Sequence, residues 1–197
     1  MADTTVKSIK GTRTEKLLVE SYIAESTAYT RYIFYAQQAE KENYYPIAEA
    51  FKDTAANELH HGKVFFKYLQ GGQVAVNVTM DAGIIGDTAS NLACAAAEEE
   101  SEGVDFYKNA AEVAREEGFD ELAEHFAAIA TVEERHRRRF LAYLKQVKDG
   151  TVWKRDHAIK WQCLVCGYVF EGTEPPMTCP GCSHPYQHYI ALDMDDL

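Results

Sequence analysis

The stretch TVEERHRRRF, residues 131–140, decides the fold. Apolar residues recur around it at Leu122, Phe126, Ile129, Phe140, Tyr143 and Val147. Steps of three and four keep such positions on one face of a helix. Glu133 and His136 fall on that same face, so a carboxylate and an imidazole stand where core side chains belong.

Three other segments repeat the anomaly. One runs Ile47, Phe51, Thr54, Glu58, His61, Phe65, Tyr68, again with Glu-x-x-His on the stripe. Another runs Leu92, Ala95, Glu99, Glu102, Phe106, Ala110, Val113, interrupted by two glutamates. The most N-terminal runs Leu18, Tyr22, Glu25, Tyr29, Tyr32, Ala36 and carries one. Glu25 precedes Glu58 by 33 residues and Glu99 precedes Glu133 by 34. Each half of the chain therefore has a single Glu and then Glu-x-x-His, one hairpin later. One Glu from each of two helices and Glu-x-x-His from the other two is the ligand pattern of di-iron carboxylate bundles.

Caps and breakers place the elements. Thr12 and Glu15 have the spacing of a capping box, which opens a helix over 13–41. A second helix is expected over 45–70, stopped by Gly71-Gly72, and a third over 88–117, ending at Gly118. A fourth is expected over 120–148, ending at Gly150. Short loops make antiparallel hairpins of helices one and two, and of three and four. Residues 71–87 contain glycine and no helical period, and read as one long crossover. The expectation for residues 1–150 is a mainly α, ferritin-like four-helix bundle. Four of the five prolines, both tryptophans and four cysteines lie beyond Gly150. Residues 151–158 read as a linker and 159–197 as a small β/loop domain.

Burial makes the glutamates informative. An isolated buried carboxylate costs several kcal/mol, and five facing one another would take up protons or unfold the bundle. Two divalent cations set four positive charges against those five, and oxygen with imidazole suits iron or manganese. The expected ligands are Glu25, Glu58, His61, Glu99, Glu102, Glu133 and His136. Glu98, Glu100, Glu134 and His60 fall off the stripes and read as surface residues. His125 lies eight residues from Glu133, about 12 Å along the helix, too far to join the same centre.

A net charge of −11 disfavours nucleic acid, whose phosphates need a positive patch. No apolar run approaches the ~20 residues that span a membrane. The opening MADTTVKSIKGTRTEK has no apolar signal-peptide core, so a cytoplasmic protein is expected. Cys94 stands alone in an alanine-rich helix, where a small buried apolar role is expected. Cys163, Cys166, Cys179 and Cys182 form two C-x-x-C knuckles with twelve residues between them. In a reducing compartment such pairs favour a tetrahedral S₄ metal site over disulfides. Knuckle spacing alone favours zinc over iron, because zinc ribbons share it. Trp161, Tyr168, Phe170 and Tyr186 either shield a redox iron from water or form a tiny domain's core.

These residues resemble those of the rubrerythrins over nearly the whole chain. The resemblance rests on Ala24-Glu25-Ser26, on Glu58-Leu59-His60-His61, on Glu99 with Glu102, and on Glu133-Glu134-Arg135-His136. Trp161 to Tyr168 is similar to a rubredoxin first knuckle and Cys179 to Pro185 to the second, with Ser183 where rubredoxins usually have glycine. The resemblance implies two-electron reduction of hydrogen peroxide to water at a di-iron centre, in oxidative-stress defence. It implies Glu25, Glu58, His61 and Glu102 around one iron, and Glu58, Glu99, Glu133 and His136 around the other, with Glu58 and Glu133 bridging. It also implies exchange of His61 for Glu102 as the oxidation state changes, and roles for Tyr32 and Tyr107 beside the site. A peroxidase needs electrons one at a time, so the resemblance implies iron rather than zinc between the cysteines, three irons per chain in all. The implied partners are rubredoxin or an NAD(P)H-dependent rubredoxin reductase, and a second copy in a head-to-tail homodimer. An iron-oxidising store of the ferritin kind and an O₂-reducing oxidase are the alternatives.

Overall fold

The computed structural model describes residues 7–80 and 82–193, and of Glu102 the backbone alone. Helices α1 (Arg13–Lys41), α2 (Tyr45–Tyr68), α3 (Thr88–Glu98), α4 (Phe106–Glu116) and α5 (Asp120–Asp149) build a ferritin-like bundle. The ends follow local chemistry. Thr12 accepts the Glu15 N–H at 3.0 Å, while the Glu15 carboxylate takes the Gly11 N–H at 2.7 Å, one residue earlier than a strict capping box. Asn43 and Gly118 adopt φ of 64° and 71° in the two tight turns. Each lets the next N–H reach back five residues, Tyr44 to Ala39 and Phe119 to Ala114, both at 2.8 Å. The second helix stops at Tyr68, two residues before the expected end.

The third expected helix is where the structure departs most from the α period. A seven-residue π-helical turn, Glu99–Asp105, joins α3 to α4 without breaking the rod. A π turn inserts a residue and rotates everything after it. Expected core positions Phe106 and Val113 are only half-buried, and Tyr107 and Ala114 take their places.

Two apolar clusters fill the bundle. One gathers Tyr32, Tyr35, Phe51, Leu92 and Phe140, and the other gathers Leu18, Phe65, Tyr107, Leu122 and Phe126. The carboxylates lie in the layer between them. Tyr22 and Tyr29, expected on the α1 stripe, are instead exposed at its edge, where Tyr22 packs against the exposed Phe66 ring of α2 at 5.4 Å.

The C-terminal domain is a three-stranded antiparallel sheet in the order β2-β1-β3, with β1 at Ile159–Cys163, β2 at Val169–Gly172 and β3 at Tyr189–Ala191. The segment before it is pinned. Val152 is buried in the bundle cluster, Trp153 stacks on Tyr44 at 5.6 Å, and Arg155 forks onto Asp193 at 2.6 and 3.1 Å. Tyr45, at the start of α2, stacks on His188 of the small domain at 3.8 Å. No helix among the described residues is long and apolar enough to cross a membrane.

Candidate metal centre

Each helical segment contributes to one buried layer. Donor atoms of Glu25, Glu58, His61 and Glu133 all lie within 4.8 Å of one another, and so do those of Glu58, Glu99, Glu133 and His136. Glu58 and Glu133 belong to both sets. Those two carboxylates are each 2% exposed. Of Glu102 only the backbone, in the π turn, is described; its side chain lies outside the described residues.

The polar atoms here converge without satisfying one another. His61 Nδ1 stands 2.9 Å from Glu58 Oε2 and 3.0 Å from Glu133 Oε1. Yet His61 Nδ1, both Glu58 oxygens and Glu133 Oε1 are buried without a properly angled hydrogen bond. Buried polar atoms are almost always bonded. Orphans that face a common point are arranged for a shared cation, and carboxylate with imidazole fits iron or manganese. His136 turns Nδ1 inward, 2.8 Å from Glu133 Oε2, and its Nε2 lies 3.4 Å from Asn57 Nδ2.

The electrostatics agree. Burial, then the Glu58 and Glu133 charges, pushes the Glu25 carboxyl well above its usual range. Burial, then Glu133 and Glu58, does the same to Glu99. Burial also opposes the Glu133 carboxylate, but His136 and His61 overcome it and hold it at about 2. Burial works against the His61 cation, and Glu133 and Glu58 outweigh it, raising the imidazole to about 10. The layer draws positive charge, as a site for divalent cations must.

Two tyrosines close the layer from either side. Tyr32 Oη donates to Glu99 Oε1 at 2.6 Å, and Tyr107 Oη donates to Glu25 Oε1. Both rings are rooted in the apolar clusters. Glu100 and His60 are exposed and Glu134 half-buried, while His125 lies away from the layer against Tyr68 at 5.7 Å. Glu98 is a correction. It is buried, because Arg31 on α1 meets it with a compensating charge. Cys94 is half-buried, and its role is not purely apolar: it takes a hydrogen bond from Tyr35 Oη at 3.4 Å and lies 3.5 Å from Glu98 Oε1.

In the small domain, Cys163 and Cys182 sulfurs are 3.7 Å apart and those of Cys166 and Cys179 are 3.6 Å apart. A disulfide needs ~2 Å. Thiolates held at ~2.3 Å around one ion stand ~3.8 Å apart. The two knuckles are built alike: Gly167 N donates to Cys163 O and Ser183 N to Cys179 O, both at 2.8 Å. The residue after each second cysteine is left-handed, Gly167 at φ 77° and Ser183 at φ 62°.

A family model described as rubrerythrin matches residues 16–94 and 90–163, and one described as the rubredoxin-like domain of rubrerythrin matches residues 161–190. Rubrerythrin of Nitratidesulfovibrio vulgaris is 43% identical over 190 residues, 96% of this chain and 100% of that one. Rubrerythrin of Porphyromonas gingivalis is 48% identical over 183 residues, 93% of this chain and 92% of that one. The solved structure of nigerythrin in its fully reduced, all-ferrous state aligns with a TM-score of 0.61 at 27% identity, over 97% of this chain and 91% of that one. The bacterioferritin of Mycobacterium tuberculosis shares the bundle fold, with a TM-score of 0.55 at 16% identity over 69% of this chain and 86% of that one. A bundle of this fold, a two-centred carboxylate layer and a four-cysteine domain thus occur together in one chain, and the chain belongs to the rubrerythrin family of ferritin-like di-iron proteins.

Proposed function

We propose that this protein reduces hydrogen peroxide to water at a di-iron centre, as part of cytoplasmic defence against oxidative stress. Electrons come from an NAD(P)H-dependent reductase, directly or by way of rubredoxin, through an iron held by Cys163, Cys166, Cys179 and Cys182. The observation that carries the reading is the four-thiolate site fused to the carboxylate layer. An iron store needs no such relay, and zinc between the thiolates could not serve as one.

Glu25, Glu58, His61, Glu99, Glu133 and His136 would hold the two irons, with Glu102 as a further ligand in exchange with His61. Iron in that layer would supply two electrons, which with two protons turn hydrogen peroxide into two waters. The chain's own groups prepare the site. Burial, then the Glu99 charge, raises the Tyr32 hydroxyl well above its usual range; burial, then Glu25, does so for Tyr107. Both therefore remain protonated donors at neutral pH, fixing the Glu99 and Glu25 carboxylates in place.

Tyr45, which stacks on the small domain, is thirteen residues ahead of Glu58, about 20 Å along α2. That separation supports delivery of electrons to a partner's centre in a head-to-tail homodimer. Leu164 and Val165, beside Cys166 on the first knuckle, are exposed and suit an electron donor's apolar contact. The test is to reduce the iron-loaded protein without air and mix it with peroxide or with O₂ at equal concentration. Reoxidation by peroxide about tenfold faster supports the reading; O₂ as fast as peroxide would leave an oxidase instead.

A further inference from the structure

One charged pair beside the carboxylate layer belongs to no ligand set. Arg31 on α1 and Glu98 at the end of α3 form an ion pair whose side chains are 12% and 11% exposed. They line a cleft between α1 and the π turn whose inner wall is made by Glu25, Glu58, Glu99 and Glu133. The cleft holds about 30 Å³, room for one or two water-sized molecules. Thr27 and Ala28 on the α1 side are small enough to leave it open.

The crossover passes over the same place. A Cβ on Gly83 would stand 3.6 Å from Arg31 Nε, so the strap's backbone lies against the guanidinium. Cys94 braces Glu98 from within, 3.5 Å from its Oε1. A nearly buried ion pair is an expensive way to seal a surface, since apolar residues of similar volume do as well or better. It is a suitable way to close a passage that must open. Both side chains are long and flexible, and each is hydrated when it swings into water.

We propose that the Arg31–Glu98 pair is the gate of the passage to the carboxylate centre. It admits a molecule the size of hydrogen peroxide and holds back bulkier hydroperoxides. The choice of peroxide as the molecule admitted rests on the function proposed above; the gate itself does not. The probe is therefore azide, whose absorption on the diferric protein reports entry without turnover.

Glu98→Ala should admit azide about tenfold faster than wild type, while Glu98→Gln, which keeps the volume and loses the same charge, stays within about threefold. Thr27→Leu, which narrows the mouth, should slow entry and serves if Glu98→Ala folds poorly. In parallel, Glu98→Ala should gain about tenfold on tert-butyl hydroperoxide relative to hydrogen peroxide. A wild-type azide rate in both Glu98→Ala and Thr27→Leu overturns the gate. So does equal acceleration by Glu98→Ala and Glu98→Gln, which would make the effect one of charge alone. If azide entry follows the variants but peroxide oxidises the ferrous protein no faster than O₂ does, the gate stands and the peroxidase reading falls.

Discussion

The backbone of Gly103 lies so close to Glu133 that a Cβ at position 103 would stand 2.8 Å from both Cβ and Cγ of that glutamate. Glu133 belongs to both ligand sets, and Gly103 sits inside the π turn. The turn therefore lets one rod carry Glu99 into the layer and bring bare backbone against the shared carboxylate. Gly103→Ala should displace Glu133, cost about 1–3 kcal/mol of stability and weaken iron binding about tenfold or more. Competition with a ferrous chelator measures the second effect; wild-type affinity would mean the close approach has no bearing on the metals.

Tyr107→Phe removes the donor to Glu25 while keeping the ring between Phe65 and Phe126, at 5.4 and 6.0 Å. The fold should lose about 1–3 kcal/mol, the range for a buried carboxylate that loses its donor. Peroxide turnover should fall about tenfold. Tyr32→Phe, which frees Glu99 in the same way, should act in the same direction. Full turnover in both variants would reduce the two hydroxyls to packing.

Much of the site is legible in the sequence. The α-helical period placed Glu25, Glu58, Glu99, Glu133 and both imidazoles on buried stripes, because burial of a carboxylate is conspicuous in a one-dimensional pattern. What the period hid is whatever departs from it. A π turn cannot be seen by counting threes and fours, so Phe106 was expected where Tyr107 stands. Burial of Glu98 depends on Arg31, 67 residues away, and no local pattern predicts that pairing. Tyr22 and Tyr29 share the stripe's spacing but lie at its edge, where they are exposed. The seating of the small domain on Tyr44 and Tyr45 is likewise tertiary, made by rings far apart in sequence.

Ser183 occupies a left-handed conformation at φ 62° that costs a non-glycine residue about 1 kcal/mol. Ser183→Gly should relieve it and raise the midpoint of thermal bleaching of the thiolate-to-iron absorption. Part of the gain is lost to the greater freedom of glycine in the unfolded chain. A lowered midpoint would show that the serine contributes something the backbone angle does not account for.

Glu117 caps α1 from the end of the neighbouring hairpin. Its carboxylate accepts the Thr14 N–H at 2.9 Å, the Thr14 hydroxyl at 2.6 Å and the Arg13 N–H at 3.3 Å. Slight burial works against it, but these bonds lower the carboxyl from 4.5 to about 2. A depressed carboxyl stabilises the fold fully above its unfolded value and stops doing so as pH falls through the folded one. Glu117→Gln should thus cost about 1–2 kcal/mol at neutral pH, with the gap to wild type closing as pH falls toward about 2. Urea midpoints across that range measure it, and a gap independent of pH would deny the cap its charge.

Replacing one thiolate separates the two metal sites. Cys163→Ser should abolish the thiolate-to-iron bands and reductant-driven turnover and leave the helical circular dichroism unchanged. Undiminished turnover would remove the relay from the pathway.

On the function proposed here, the buried carboxylate layer holds two metal ions and the thiolates a third. Elemental analysis of protein purified without air tests it most directly. About three irons per chain and little zinc are expected. About one metal per chain, all of it bound by thiolate, would contradict that reading and leave Glu25, Glu58, Glu99 and Glu133 buried with no cation to explain them.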